Sequence, residues 1–164
     1  MRKGDNVMIV LNIQGYKNIE VKNVVFDFNG TIAEDGILIE GIKEKISDLS
    51  RRDVNIFILT ADTYSNVREQ CIGLPVKIET FDEENVSEEK KKIVKKLGYD
   101  ITVTIGNGRN DLEMFKSSIV SIAVMGKEGC FAKTLFGADI VVVNVIDAIE
   151  LLLKNNRIKA TMRT

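Results

Sequence analysis

The chain has 164 residues, 45% of them hydrophobic and 29% charged, and its formal net charge is −1 at pH 7. This length and composition predict one soluble globular domain, residues 1–164, with a single hydrophobic core. A nearly neutral chain lacks the positive charge typical of proteins that bind nucleic acid or an anionic membrane, so we expect neither partner. The apolar runs are too short for a membrane span and no signal-peptide pattern opens the sequence, so we expect a cytoplasmic protein.

The residue types also limit the available chemistry. The sequence has no histidine, which excludes a Ser-His-Asp triad, a Cys-His pair and a His-ligated zinc site. The two cysteines, Cys71 and Cys130, lack CxxC spacing, so we expect reduced thiols. Catalysis would therefore depend on carboxylates, hydroxyls, lysines and metals bound by oxygen.

Predicted strands and helices alternate along the chain. Continuous β-branched runs predict strands, and the amphipathic segments between them predict helices. The predicted strands cover residues 7–13, 19–28, 54–60, 76–80, 101–105, 120–124 and 140–143. The predicted helices cover residues 41–52, 63–72, 87–97, 111–117, 129–136 and 146–155. This alternation predicts an α/β fold with three layers, a Rossmann-like arrangement around a mostly parallel central sheet.

The two ends of the chain depart from this alternation. Residues 1–22 predict a strand pair, either a hairpin that turns at Gln14 and Gly15 or an addition to the edge of the sheet. Residues 155–164 are basic, and we expect them to form a solvated tail.

Polar residues stand at the ends of three predicted strands. Asp27 and Asn29 follow the first core strand, Thr60 ends the next, and Asn107 and Asp111 follow the strand at 101–105. Taken singly, these residues have alternative explanations, namely turn formation at the Asn-Gly steps and capping of the next helix by Thr60 or Asp62. Because the carboxyl ends of parallel strands share one crevice, their recurrence predicts a ligand site at that edge.

The same residues reproduce the four motifs of a known family, in order and spacing. They are Asp27-Phe28-Asn29-Gly30-Thr31, then Thr60, then a lysine opening the predicted helix 87–97, then Gly106-Asn107-Gly108-Arg109-Asn110-Asp111. From about Val24 onward the chain resembles the haloacid-dehalogenase superfamily of phosphotransferases. Within that superfamily it is similar to a set described as soluble P-type-ATPase-like proteins.

The lysine of the third motif has to be chosen among three neighbours. From Lys90, the positions three, four and seven residues on are Ile93, Val94 and Leu97, which form the apolar stripe of the predicted helix. The corresponding positions from the next two lysines are mostly polar. Lys90 is therefore predicted to face the sheet.

The resemblance implies a role for each motif residue. Asp27 would be the nucleophile that forms an aspartyl-phosphate, and Mg²⁺ would be the cofactor. The implied catalytic residues are Asp27, Asn29, Thr60 and Lys90. The implied phosphate-binding residues are Thr60, Ala61, Lys90 and Gly30. The implied metal ligands are Asp27, Asn29 through its backbone carbonyl, Asn107 and Asp111.

Two positions depart from the family pattern. Phosphatase members carry an aspartate in place of Asn29, which protonates the leaving group and then activates water, and Asn107 replaces a customary carboxylate ligand. We therefore expect a Mg²⁺-dependent phosphohydrolase that is slow on simple phosphomonoesters. The alternative is a non-catalytic or phosphoaspartate-bearing regulatory or binding protein that has kept the fold.

The spacing of the motifs leaves little room for an accessory domain. Between Asp27 and Thr60, residues 32–40 can supply only the small flap hairpin that the family carries there. The resemblance thus implies a capless member, and capless relatives often form tetramers in which neighbours close the site. We expect a homo-oligomer that acts on a small phosphorylated substrate.

Overall fold

The structure, a computed structural model, describes residues 8–61 and 65–164. The strands are β1 (Ile9–Asn12), β2 (Asn18–Val21), β3 (Asn23–Phe26), β4 (Ala33–Glu34), β5 (Ile37–Leu38), β6 (Asn55–Thr60), β7 (Lys77–Thr80), β8 (Thr102–Gly106), β9 (Val120–Val124) and β10 (Ile140–Val142). The helices are α1 (Ile42–Ser50), α2 (Val67–Gln70), α3 (Val86–Leu97), α4 (Leu112–Phe115), α5 (Ala132–Gly137), α6 (Val145–Leu153) and α7 (Asn156–Met162). Among these residues, no helix has both the length and the apolar character needed to cross a membrane.

Six strands form one parallel sheet in the order β10-β9-β8-β3-β6-β7. The earliest of these strands in the chain, β3, lies in the middle, with later strands added outward on both sides. This is the Rossmann-type order, in which the direction of winding reverses between β3 and β8. The predicted α/β fold class is confirmed, and the reversal locates the crevice where such sheets bind ligands.

The central strands are apolar at consecutive positions because both faces of the sheet are covered. On β3, Val24 and Phe26 belong to the larger core cluster, whereas Val25 belongs to a second cluster. The larger cluster includes apolar residues of α1 and α6, and the second includes residues of α3 and α4. Alternate side chains of one strand therefore enter two cores, which gives the continuous rather than alternating hydrophobic runs of the sequence.

The strand predicted at residues 19–28 is in fact two strands in different sheets. β2 pairs with β1 in an antiparallel hairpin, and β3 pairs with β6 and β8 in the main sheet. The chain passes between the sheets at Lys22, whose N–H donates to Ile101 O and whose carbonyl accepts from Asn55 N, at 2.9 and 2.8 Å. Of the two arrangements predicted for this end of the chain, the structure has the hairpin, with Gly15 at positive φ in its turn.

The prediction of a solvated C-terminal tail is wrong. Residues 156–162 form α7, which packs against β1 and α6. Ile158 is fully buried, and Met162, one helical turn later, packs on the same core. This apolar pair is enough to hold a short helix against the hairpin, and Thr164 N donates to Gln14 O at 3.2 Å beyond it. The basic side chains occupy the outer face, which is why composition alone suggested a tail.

The helix predicted at residues 63–72 is much shorter in the structure. Among the described residues of that range, 65–72, only α2, Val67–Gln70, is helical, and Thr63, where that prediction begins, lies outside the described residues. Val7, the predicted start of the first strand, also lies outside them. The backbone of Ser65 has a φ of +53°, which is not a right-handed helical conformation.

A small hairpin, β4–β5, stands between the first motif and α1. Its turn is Asp35-Gly36, with φ of +50° and +79°, the conformation that favours Asp-Gly in two-residue hairpin loops. We call this hairpin, residues 33–38, the flap.

Candidate functional site

The carboxyl ends of β3, β6 and β8 lie side by side at the winding reversal. Asp27 follows β3 directly, and its N–H donates to Ile105 O at 2.9 Å. Thr60 ends β6, and Gly106 ends β8. The sheet register thus brings the first, second and fourth motifs to one edge, as the sequence pattern predicts.

Lys90 is the centre of the site. Its side chain is fully buried, and its Nζ donates to Asp27 Oδ1 at 2.6 Å, to Asp111 Oδ1 at 2.7 Å and to Asn110 Oδ1 at 3.0 Å. These three bonds use all the donors of the ammonium group. The predicted inward orientation of Lys90 is confirmed, whereas Lys91 and Lys92 form ion pairs with Glu88 and Glu89 on the outer face of α3.

Both carboxylate oxygens of Asp111 accept hydrogen bonds. Oδ1 bonds to Lys90, and Oδ2 accepts the backbone N–H groups of Asn107 and Gly108 at 3.0 and 2.8 Å. A Cβ at Gly106 would lie 2.5 Å from Asp111 Oδ2, so the glycine is required for this close approach. The carboxylate therefore fixes the loop after β8 and, through Lys90, ties it to α3.

The side-chain amide of Asn107 is engaged at both ends by the protein. Its Oδ1 accepts from the Thr31 hydroxyl at 3.1 Å, and its Nδ2 donates to Gly129 O at 3.0 Å. The backbone carbonyl of Asn107 also accepts from Phe131 N at 2.8 Å. A carboxylate at this position could not donate to Gly129 O, so the loop at 126–131 is built around an amide. Sequence analysis gave no role to Thr31, although it lies within the first motif.

Gly30 lets the first motif approach the fourth. Its φ is +78°, and a Cβ there would lie 2.3 Å from Asn107 Nδ2. Any other residue would be strained in backbone conformation and would also displace the Asn107 amide.

Asn29 differs from Asn107 because its amide oxygen is buried without a hydrogen-bond partner among the described residues. A buried acceptor without a partner costs about 1–3 kcal/mol. The fold thus retains an unpaired polar atom two residues after Asp27, which marks a position where a donor from a ligand would be accommodated.

The electrostatics of the site come from three charged side chains, of which Lys90 and Asp111 are fully buried and Asp27 is 7% exposed. The pKa of Asp27 is raised to about 7, because burial and then the charge of Asp111 raise it by more than the charge and hydrogen bond of Lys90 lower it. Burial by itself would lower the pKa of Lys90, but the two carboxylates and their hydrogen bonds raise it above its ordinary value. Lys90 is therefore a cation, and it partly compensates the two acids.

The residues of the second motif lie at the same edge. Thr60 is buried, and its carbonyl accepts from Phe81 N at 3.0 Å. Ala61 follows it, half-buried, at the last described position before the gap at 62–64. The structure thus places Thr60 and Ala61 at the strand end next to β3, and their predicted role in phosphate binding stays a prediction.

The predicted metal ligands offer the oxygen donors that Mg²⁺ prefers, two carboxylates and neutral oxygens. Among the described residues, however, no group of three or more histidine, cysteine, aspartate or glutamate side chains is placed to hold a metal ion. Both carboxylates, Asp27 and Asp111, are already shared with Lys90. The donors fit a magnesium ion in type, and they carry less negative charge than a site built from three or four acids.

Comparison with known proteins supports this family resemblance. The chain is 48% identical over 61 residues to an uncharacterized protein of Methanocaldococcus jannaschii, a match covering 37% of this chain and 66% of that protein. It is 28% identical over 143 residues to a soluble P-type ATPase-like phosphatase of the same organism, covering 81% of this chain and 50% of the relative. The chain thus spans about half to two-thirds of the length of these relatives. It matches no known protein-family model.

Solved structures share the fold. One is the 3-deoxy-D-manno-octulosonate 8-phosphate phosphatase of Moraxella catarrhalis, solved with magnesium, phosphate and the sugar acid. It superimposes with a TM-score of 0.69 at 20% identity, over 85% of this chain and 90% of that protein. At this identity the likeness concerns the fold.

Proposed function

Since the chain has the fold and the ordered motifs of the haloacid-dehalogenase superfamily, we propose that it is a phosphohydrolase that uses Asp27 as its nucleophile. The observation that carries the proposal is the buried cluster of Asp27, Lys90 and Asp111, with bonds of 2.6 and 2.7 Å. A buried lysine held between two acids is expensive to maintain as a purely structural feature. The phosphatase activity named for the relative and for the structural neighbour supports the same conclusion.

The proposed reaction has two steps. In the first, an Asp27 carboxylate oxygen attacks phosphorus, the bond from phosphorus to the leaving oxygen breaks, and an aspartyl-phosphate forms. In the second, water attacks that phosphorus, releasing inorganic phosphate and regenerating the Asp27 carboxylate. Lys90 orients the nucleophile and balances negative charge, and Asp111 holds Lys90 in place. Such positioning and charge compensation supply most of the catalysis in phosphoryl transfer.

Mg²⁺ is the proposed cofactor. Asp27, the Asn29 carbonyl, Asn107 and Asp111 would hold it, and it would neutralise charge on the phosphoryl oxygens. Because two of these positions carry amides, we expect the ion to bind weakly.

The amide at position 29 limits the rate in this proposal. An amide is too weak an acid to protonate the leaving oxygen and too weak a base to take a proton from water. General acid–base catalysis is worth on the order of 10²–10⁴ in rate. Substrates whose leaving group departs without protonation, such as acyl phosphates, should therefore react best. The unpaired Asn29 oxygen still offers an acceptor to a substrate or water.

A panel assay tests the proposal. Release of phosphate from acetyl phosphate, aryl phosphates and alkyl phosphates would be measured with and without Mg²⁺, for wild type and Asp27→Asn. The matched control is Asp100→Asn, an exposed carboxylate in the 3-10 turn that precedes β8. We expect Mg²⁺-dependent turnover that Asp27→Asn abolishes and Asp100→Asn leaves intact; equal turnover in all three proteins would contradict the proposal.

One observation favours a second candidate function, a stable phosphoaspartate protein with a regulatory role. The Asn107 amide is satisfied at both ends within the fold, as expected if the chain is adapted to do without a carboxylate there. In that case Asp27 would accept a phosphoryl group and keep it. A phosphorylated form that outlasts many assay turnover times would distinguish this function from hydrolysis.

A further inference from the structure

A cavity of about 300 Å³ lies beside the first motif at the carboxyl edge of the sheet. Gly30 and Thr31 form one wall, and residues after β9 and β10 form the opposite walls. Gly126 packs toward the Gly30 carbonyl, since a Cβ on Gly126 would lie 3.6 Å from that oxygen. The cavity therefore begins where the predicted phosphate-binding loop ends.

The surface of this cavity is apolar. Its aliphatic lining is Ile39, Val124, Met125, Val143 and Val145. Two of these side chains are open to solvent, since Met125 is 48% exposed and Val143, which follows the edge strand β10, is 63% exposed. Such exposure is expected where the natural contact of a side chain is a ligand.

The polar side chains that line the cavity already have partners. Thr31 donates to Asn107, and Glu34 pairs with Lys127 at 3.1 Å. Asn144 caps α6, where its Oδ1 accepts from Asp147 N at 2.9 Å and its Nδ2 donates to Asp147 Oδ2 at 2.7 Å. Among the described lining residues, no cation is left to balance an anionic group, and no polar side chain needs a ligand to satisfy it.

The flap is tied down at the rim of this cavity by two contacts. Glu34 on β4 forms the ion pair with Lys127, and Asp35 N donates to Glu128 Oε2 at 3.2 Å. Both contacts join the flap to the loop after β9. Glu34 is neutralised by Lys127, so the rim keeps the negative charge of Glu128, which disfavours a second phosphate or a carboxylate on the ligand.

We propose that this cavity holds the organic group of the substrate, and that this group is small, apolar and uncharged. The inference rests on the proposed function, because the organic group of a phosphate ester is joined to phosphorus through a single oxygen and must lie close to the phosphate-binding residues, which are predicted to include Gly30. At about 30 Å³ for each water-sized unit, the cavity has room for roughly ten non-hydrogen atoms. That matches an aryl or short alkyl group and is too small for a nucleoside.

Direct binding tests the cavity independently of turnover. Calorimetry would compare 4-methylphenyl phosphate with phosphotyrosine, which has the same kind of leaving group but carries two further charges. The variant is Val143→Asp, which places a charge in the lining. The matched control is Val141→Asp, another exposed valine, located on β10 itself and outside the lining.

We expect wild type to bind 4-methylphenyl phosphate at least about tenfold more tightly than phosphotyrosine. Val143→Asp should lower the affinity for 4-methylphenyl phosphate about tenfold, and Val141→Asp should leave that affinity unchanged. Tighter binding of phosphotyrosine or a nucleotide, no binding of 4-methylphenyl phosphate, or equal effects of the two variants would overturn the inference. Selective binding without any hydrolysis of acetyl phosphate would instead overturn the proposed function and leave the cavity assignment standing.

Discussion

At the scale of single residues, the proposed hydrolysis predicts that the amide at position 29 limits the rate. Asn29→Asp replaces the amide with an isosteric carboxyl group, which can protonate the leaving oxygen and activate water. Turnover of an alkyl phosphate should rise on the order of 10²-fold or more, and turnover of an acyl phosphate should rise less. Steady-state assays with both substrates check this.

Asn29→Ala is the control for that gain, since it removes the amide without supplying an acid. It should remain as slow as wild type. If Asn29→Asp is inert toward every phosphate ester although Mg²⁺ still binds, the non-catalytic function replaces hydrolysis.

Asn107 and Asn110 are neighbouring amides whose replacement by aspartate should affect stability differently. Asn107→Asp loses the donor to Gly129 O and places a charge against that carbonyl, so we expect a loss of about 1–3 kcal/mol in unfolding free energy without metal. Asn110→Asp should be tolerated, because the oxygen at that position accepts from Lys90. Urea unfolding of both variants measures the difference, and equal stabilities would show that the Asn107 amide is not structurally required.

At the scale of elements, an ion-pair cluster joins α1 to α6. Glu150 on α6 accepts from Lys154 and from Lys45 on α1, both at 2.5 Å, and these hydrogen bonds lower its pKa to about 2. A carboxyl group whose pKa is lowered by folding stabilises the fold above its unfolded pKa, near 4.5. That stabilisation is lost as the pH falls toward 2.

Glu150→Gln should therefore cost about 1 kcal/mol at pH 7, a modest value because Lys154 is largely exposed and Lys45 partly exposed, so that solvent screens both ion pairs. The cost should shrink below pH 4.5 and vanish near pH 2. Urea unfolding across this range gives the profile. Glu40→Gln, at an exposed carboxylate without an ion pair among the described residues, should show no such profile. A cost for Glu150→Gln that is the same at every pH would contradict the assignment.

The C-terminal helix is a second packing unit at this scale. Ile158→Ala removes a fully buried side chain at the contact of α7 with the hairpin, and we expect a loss of about 2–5 kcal/mol. Ile37→Ala, on the flap and 63% exposed, should change stability little. A negligible loss for Ile158→Ala, measured by chemical denaturation, would restore the interpretation of residues 155–164 as a solvated tail.

At the scale of the whole molecule, the sequence predicts the parallel sheet well because its core strands are continuous apolar runs between helical patterns. The strand pair predicted over residues 1–22 ends at the division at Lys22, but the continuous strand predicted over residues 19–28 crosses it, because one β-branched run supplies strands to two sheets. The sequence does not predict α7, whose stability comes from Ile158 packing on a hairpin more than a hundred residues away in the chain.

In the candidate site too, features set by local sequence could be predicted, and features set by distant parts of the chain could not. The helical stripe of Ile93, Val94 and Leu97 predicts that Lys90 faces inward, since that depends on a single helix. The engagement of the Asn107 amide by Gly129 could not be predicted, because it depends on a loop that returns over the fourth motif.

The central claim is that Asp27 is phosphorylated during turnover. Wild-type protein would be incubated with acetyl phosphate and Mg²⁺, quenched in acid and examined by peptide mass spectrometry. We predict a phosphorylated peptide that contains Asp27, absent from Asp27→Asn and less abundant in Asn29→Asp, whose carboxyl group speeds hydrolysis of the intermediate. Phosphate release from wild type with no modified Asp27, or a modification that survives Asp27→Asn, would contradict the account.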